Sequence, residues 1–190
     1  LVHGFYGRLT YWLSDEGLIE PLPGSEIGDL IRGNLVEANS FIIGWDLYYP
    51  SIFRANELLE RLPDVPAAVM PEDEKKAIIG AAKYVRAATH FLLANTWGDV
   101  PLTLTTDAET NIENGRTPVA EVYAQVVQDL EEAAEALPAA VDPDSKTIHN
   151  RYQALALLSR VYLYLGRWAE AEAAASEVIN SGQYELVANV

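Results

Sequence analysis

The side chains that could do chemistry are His3, His90 and His149, the carboxylate pairs Asp15-Glu16 and Glu131-Glu132, and an acidic stretch holding Asp107, Glu109 and Glu113 with Asn111 and Asn114. A histidine acts as a general base when a second group orients it, and these three lie far apart in sequence. His90, beside Phe91 in a helical stretch, reads as a packing or surface residue. His149, at a helix start, reads as a cap or a solvated ring. Paired carboxylates cleave glycosides when they flank the scissile bond. Neighbours on a helix point in different directions, so Glu131-Glu132 reads as a solvated face. Asp15-Glu16 reads as the loop ending a helix. The acidic stretch lacks EF-hand spacing, which leaves a calcium loop there as no more than an alternative. Zinc-protease, nucleophile-elbow, phosphate-loop and dinucleotide fingerprints are missing from the sequence. Zero cysteines remove thiolate catalysis, disulfides and zinc thiolate sites together. The expectation is a protein that is not an enzyme, with no catalytic residues, no cofactor and no metal.

The tryptophans are the other candidates for contact with a ligand. Trp45 and Trp168 fall on apolar stripes and are expected in the core. Trp97 ends a helix beside Gly98 and is expected to pack under the next loop. Trp12 stands next to Tyr11 and the loop at Ser14, and its neighbourhood suggests exposure, with core packing as the other reading. An exposed ring can stack on the face of a sugar.

Charge narrows the partners. Thirteen Lys and Arg face 28 Asp and Glu, a net charge of −15, with no basic run to hold phosphates; nucleic acid is not an expected partner. No apolar run approaches the roughly 20 residues that span a bilayer. Leu1-Val2-His3-Gly4 is not a basic start followed by an apolar stretch, and the chain reads as a piece of something longer.

The elements that position these residues are helices. Phe41, Trp45, Tyr48, Ile52, Ala55, Leu59 and Leu62 alternate steps of four and three, with Pro50 requiring a kink or restart. Further stripes are Ile78, Ala81, Val85, Ala88 and Leu92; Val119, Val122, Val126, Leu130, Ala133 and Leu137; and Trp168, Ala171, Ala175 and Val178. The spacing predicts helices over about 40–62, 71–97, 117–137, 151–165 and 168–180. Thr117-Pro118 reads as the cap and first turn of the third. Long loops run over Asp99 to Asn114 and Ala139 to Asn150, and the one candidate strand is Val100 to Leu104. Gly166 and Arg167 alone separate the last two helices, which must fold back as an antiparallel hairpin. Tyr162-Leu163-Tyr164-Leu165-Gly166-Arg167-Trp168-Ala169-Glu170-Ala171 has aromatics on both sides of a turn glycine and alanine where helices touch, as in tetratricopeptide hairpins. The expected class is all-α, with tetratricopeptide-like antiparallel hairpins and long loops.

Two stretches carry a resemblance beyond periodicity. The first is Gly80-Ala81-Ala82-Lys83-Tyr84-Val85-Arg86-Ala87, continuing through Phe91-Leu92 to Trp97-Gly98-Asp99-Val100-Pro101-Leu102. The second runs from Arg151 to Leu186, with Ala154, Arg160-Val161-Tyr162, Gly166, Trp168, Ala171 and Gly182. Arg116-Thr117-Pro118, Val122-Tyr123 and Asp129-Leu130 keep the order between them. Together they resemble the SusD/RagB family of outer-membrane glycan- and nutrient-capture lipoproteins.

The resemblance implies a SusD-like α/α superhelix without catalytic activity, in which residues 1–190 form one helical domain, the N-terminal part of a longer protein. It implies an oligosaccharide or peptide ligand and a TonB-dependent transporter as partner. It also implies a lipid-anchored position at the cell surface, the anchoring cysteine lying upstream of Leu1. Trp12, Asp15 and Glu16 are its candidate glycan contacts, although Gly17-Leu18-Ile19-Glu20 lacks the sugar-stacking Trp that the family's starch-binding founding member carries there. Ala81 stands where the family commonly has Glu, so Arg86 is expected to lose that ion-pair partner. The expected function is glycan capture for a TonB-dependent uptake system; the alternative is a tetratricopeptide module binding a peptide or protein.

Overall fold

A helix interior cannot accommodate proline without losing a backbone hydrogen bond, and Pro50 accordingly lies in the first turn of α1 (Tyr49–Arg61). The computed structural model describes residues 47–139 and 149–184. The chain divides into two compact units, Leu1–Pro50 and Ser51–Val190, and the second holds the helical stack. Helix α1 buries Ile52, Ala55 and Asn56, and a short 3-10 turn, Leu62–Asp64, comes directly after it.

Helix α2 (Glu72–Trp97) opens on Glu72, Asp73 and Glu74, three acids that meet the positive end of the helix dipole. It ends at Gly98, whose φ of 72° is costly for a residue carrying a Cβ. The expected loop from Asp99 to Asn114 contains a short helix, α3 (Ala108–Glu113). Its cap is Asp107, whose carboxylate accepts the Thr110 N–H at 2.7 Å. The expected strand at Val100 to Leu104 reduces to one antiparallel bridge, between Val100 and Thr117.

Helix α4 (Val119–Ala136) is capped from a distance. Thr117 does not cap it, contrary to the sequence pattern. Asp99 Oδ1 accepts the Val119 N–H at 2.9 Å, while Thr117 Oγ1 accepts from Leu102 N at 3.3 Å. The Gly98-Asp99-Val100 run therefore stops one helix and starts another. Helix α5 (Arg151–Tyr164) is capped by Asn150, whose Oδ1 accepts from the N–H groups of Tyr152 and Gln153. His149, expected as cap or solvated ring, instead lies against the Tyr84 ring of α2, centroids 4.5 Å apart. Helix α6 (Trp168–Asn180) comes at once after it. Between α5 and α6, Gly166 N donates to Leu163 O and Arg167 N to Tyr162 O, the paired bonds of a Schellman turn, with Gly166 at φ 70°.

Helix α2 packs on α4, α4 on α5, and α5 on α6, so these four long helices stack in the order in which they occur. The stripe Val122, Val126, Leu130, Ala133 and Leu137 is buried as its spacing predicts; Val119 lies at its exposed end. At Gly80 the α2 and α4 backbones come so close that a Cβ would sit 2.9 Å from that of Ala136. Two expected stripes need correction. On α2, Ile78, Ala81, Val85, Ala88 and Leu92 are half-buried. The fully covered positions are Ala82, Ala87, Phe91, Leu93 and Ala94, with Arg86 and His90 among them. On α6 the buried contacts are Ala171 and Ala174. Trp168, expected in the core, is 66% exposed. A helical side chain leans toward the N-terminus, so the first residue of α6 leans over the turn instead of onto α5.

Candidate functional site

Among the described residues a buried polar centre joins three helices. Arg86 on α2 grips Asp129 on α4 with two parallel bonds, Nε to Oδ2 at 2.8 Å and Nη2 to Oδ1 at 2.7 Å. Its Nη1 donates to Asn56 Oδ1 on α1 at 2.9 Å. Asn56 Nδ2 donates onward to the carbonyls of Thr103 and Thr105 at 3.1 and 3.3 Å. Gln125 adds a bond to Asp129 Oδ1. Arg86 is therefore not left unpaired by Ala81; its carboxylate comes from another helix. Asp129, beside Leu130 on the most buried stripe of α4, was the signal in the sequence, but spacing within α2 could not point to it.

This centre clamps α1, α2 and α4 together. A guanidinium does not give up its proton in a protein, and three of its five donors here are engaged by Asn56 and Asp129. Beside it, His90 is buried, with Nδ1 3.1 Å from the Arg86 carbonyl and Nε2 without a hydrogen-bond partner. A carbonyl only accepts, so Nδ1 carries the proton. Burial pushes the His90 pKa down to about 4, and the ring is neutral near pH 7. His90 is thus a core residue.

The same clamp continues at the edge. Glu60 on α1 accepts from Thr105 Oγ1 and Thr106 N, each at 2.8 Å, and also from Thr106 Oγ1. These bonds hold its carboxyl below the usual range. In the acidic stretch, Asp107 is used as a cap, while Asn111 and Asn114 donate their amides to the carbonyls of Thr105 and Leu102. No group of three or more possible metal ligands occurs among the described residues. Glu131-Glu132 is not simply a solvated face. Glu132 pairs with Lys83 of α2, and Glu131 accepts the Tyr162 hydroxyl of α5 at 2.6 Å. Burial, then Glu131, pushes the Tyr162 pKa up to about 12. Because adjacent helical residues diverge, one pair ties α4 to two helices.

Aromatic rings gather at the helix junctions and around the α5–α6 turn. Tyr123 and Tyr164 meet Phe91 edge-on, with centroids 5.9 and 5.3 Å away. The Arg167 guanidinium lies 4.4 Å above the Tyr162 ring, and its Nε donates to Glu170. Around the α5–α6 turn Leu163, Tyr164, Leu165 and Trp168 are exposed. The candidate glycan contacts Trp12, Asp15 and Glu16, and also Trp45, lie outside the described residues. Trp97 is half-buried beside Gly98.

Residues 30–163 match the SusD-like family described as starch-binding and associating with the outer membrane. This chain belongs to that family. SusD-like protein P38 of Formosa agariphila is 30% identical over 187 residues, a match covering 94% of this chain and 35% of the relative. SusD-like protein P2 of the same organism is 31% identical over 193 residues, covering 93% and 36%. The chain spans about a third of the length of these relatives. Among solved structures it is similar to a laminarin-binding SusD-like protein: 28% identity, TM-score 0.76, covering 93% of this chain and 43% of that one. A SusD-like protein from Bacteroides fragilis has 27% identity and a TM-score of 0.75, covering 86% and 31%. The SusD/RagB resemblance and the all-α class with tetratricopeptide-like hairpins are both borne out. In this SusD-like chain the two stretches that carry the resemblance have visible work: Gly80 and Arg86 join α2 to its neighbours, and Gly166 closes the hairpin.

Proposed function

We propose that this SusD-like chain is the scaffold part of a non-catalytic glycan-binding lipoprotein, held at the cell surface on the outer membrane by a lipid outside residues 1–190. It delivers oligosaccharide to a TonB-dependent transporter. The family match over residues 30–163 carries this reading. The laminarin-binding relative supports a glucan-type ligand. The polar centre supports binding without turnover, because Arg86, Asp129 and Asn56 are spent on holding helices together.

Trp12 supplies an aromatic face for a sugar ring, and Asp15 and Glu16 accept its hydroxyls. The test is calorimetry of the full-length protein with laminarin and other glucan oligosaccharides, together with chromatography of the recovered ligand. Saturable binding with intact ligand is the expected result. Release of shortened sugars would remove the non-catalytic assignment, and failure across a broad glycan array would remove the glycan. Replacement of Trp12 by Ala should weaken binding about tenfold, the loss of one stacking contact of ~1.4 kcal/mol. Co-purification with a TonB-dependent transporter tests the delivery step.

A further inference from the structure

An asparagine side chain can react with its own backbone, because the nitrogen of the following residue can close a five-membered ring onto the amide carbon. Two features hold this back: a backbone that engages that nitrogen in hydrogen bonding, and a side chain on the next residue that crowds it. Among the described asparagines, Asn114 alone has neither. Asn56, Asn95 and Asn111 lie inside α1, α2 and α3. Asn180 ends α6, and the next nitrogen, of Ser181, donates to the Glu177 carbonyl at 3.1 Å. Asn150 is buried, with Oδ1 capping α5 and Nδ2 donating to the Tyr184 hydroxyl.

Asn114 is followed by Gly115, the sequence's one Asn-Gly pair. It stands just past the last turn of α3, in extended backbone at φ −69° and ψ 108°. Its Nδ2 reaches only the Leu102 carbonyl, at 3.5 Å, the outer limit of a hydrogen bond. Gly115 is exposed, its N–H has no hydrogen bond among the described residues, and a Cβ added there would meet nothing within 4 Å. The chain is held on either side, by Asn111 Nδ2 on the Thr105 carbonyl and by Thr117 N on the Val100 carbonyl. Ring closure requires the Gly115 nitrogen to swing toward the Asn114 side chain, and a residue without a Cβ, in open space, resists that least.

We propose that Asn114-Gly115 is a site of spontaneous deamidation. The Gly115 nitrogen loses its proton to hydroxide and attacks Asn114 Cγ. The Cγ–Nδ2 bond breaks, and the departing nitrogen takes a proton from water and leaves as ammonia. One water then opens the succinimide ring. Breaking the bond from the ring nitrogen to Cγ gives aspartate. Breaking its bond to the backbone carbonyl carbon gives isoaspartate, in which the chain continues through Cγ. Nothing is oxidised or reduced. Either product adds a negative charge beside Glu113, and isoaspartate lengthens the backbone by one carbon between α3 and the Val100–Thr117 bridge. The inference stands apart from the glycan reading, and either can fail alone.

The test incubates the full-length protein in warm, mildly alkaline buffer and follows it by peptide mass spectrometry, with fragmentation that assigns the site and separates aspartate from isoaspartate. Asn114 should gain one mass unit, mostly as isoaspartate, at least about tenfold faster than Asn95, Asn150 or Asn180. The rate should rise with pH, because the attacking nitrogen must first lose its proton. In G115A a Cβ stands beside that nitrogen and should slow the conversion at least about tenfold. Gly115 has no positive φ and has free space around it, so this variant should melt like the parent. A synthetic peptide of residues 110–118 measures the same reaction without the fold. An Asn114 that stays intact while the peptide converts, a rate at Asn114 equal to that at Asn180, or an unchanged rate in G115A would each overturn the inference.

Discussion

Arg86 shows how one side chain organises its surroundings. Its guanidinium is ten per cent exposed and the Asp129 carboxylate two per cent, so each would be costly without the other. Replacing Arg86 by Met leaves Asp129 buried with only Gln125, and should cost about 3 to 5 kcal/mol in urea unfolding. The double variant R86M/D129L should recover much of that loss, because no orphan charge remains. His90 gives a pH dependence of definite sign. Its folded pKa, about 4, lies below the ordinary value of 6.5, so between these values the unfolded chain binds more protons. Stability contributed by the neutral ring is complete above about pH 6.5 and is lost as pH falls toward 4, by up to ~3 kcal/mol. Unfolding measured across this range should show a shallower loss in H90L than in the parent.

At the scale of elements, stability depends on a few points where helices meet or begin. Gly80 is one: the 2.9 Å approach to Ala136 means that even Gly80→Ala must push α2 from α4. The gain in helix propensity offsets part of the strain, and a net loss of about 1 kcal/mol is expected, rising to about 3 for Gly80→Val. Asp99 is another. Removing its carboxylate in Asp99→Ala frees the Val119 N–H and should cost about 1 kcal/mol, read as a lower melting temperature. Gly98→Ala places a Cβ on a residue at φ 72° and should cost a similar ~1 kcal/mol, although nothing crowds the site.

Across the whole molecule the acidic excess sets behaviour that no single pair controls. A net charge of −15 repels itself in the compact state. Exposed pairs such as Arg54–Glu57 and Arg167–Glu170 return little of that cost in water. Added sodium chloride screens the repulsion, so the melting temperature should rise with ionic strength, as scanning calorimetry would show. The clamp at Arg86 is buried and should respond little to salt. A ligand without charge, as a neutral glucan is, would bind with an affinity nearly independent of salt; steep salt dependence in the calorimetric titration would argue for a charged ligand instead.

Much of the scaffold was legible in the chain. The α4 stripe from Val122 to Leu137 and the Gly166 hairpin follow from local rules, since 3.6-residue periodicity and a positive-φ glycine need no distant partner. Family membership was legible too, from the ordered set beginning at Gly80 and ending near Leu186. Contacts between distant segments were not. Asp99 capping α4, Asp129 replacing the partner Arg86 was expected to lose, Glu131 and Glu132 reaching two helices, and Trp168 standing outside the core all depend on which elements are neighbours. Periodicity records one helix and its faces; it cannot say how many of those faces the rest of the fold will cover. Helix α2, covered on more than one side, and α6, with Trp168 and Ile179 uncovered, are where that difference is largest. Trp12, Asp15 and Glu16 remain a proposal from family resemblance, whereas the Arg86 clamp emerged when helices distant in sequence came together.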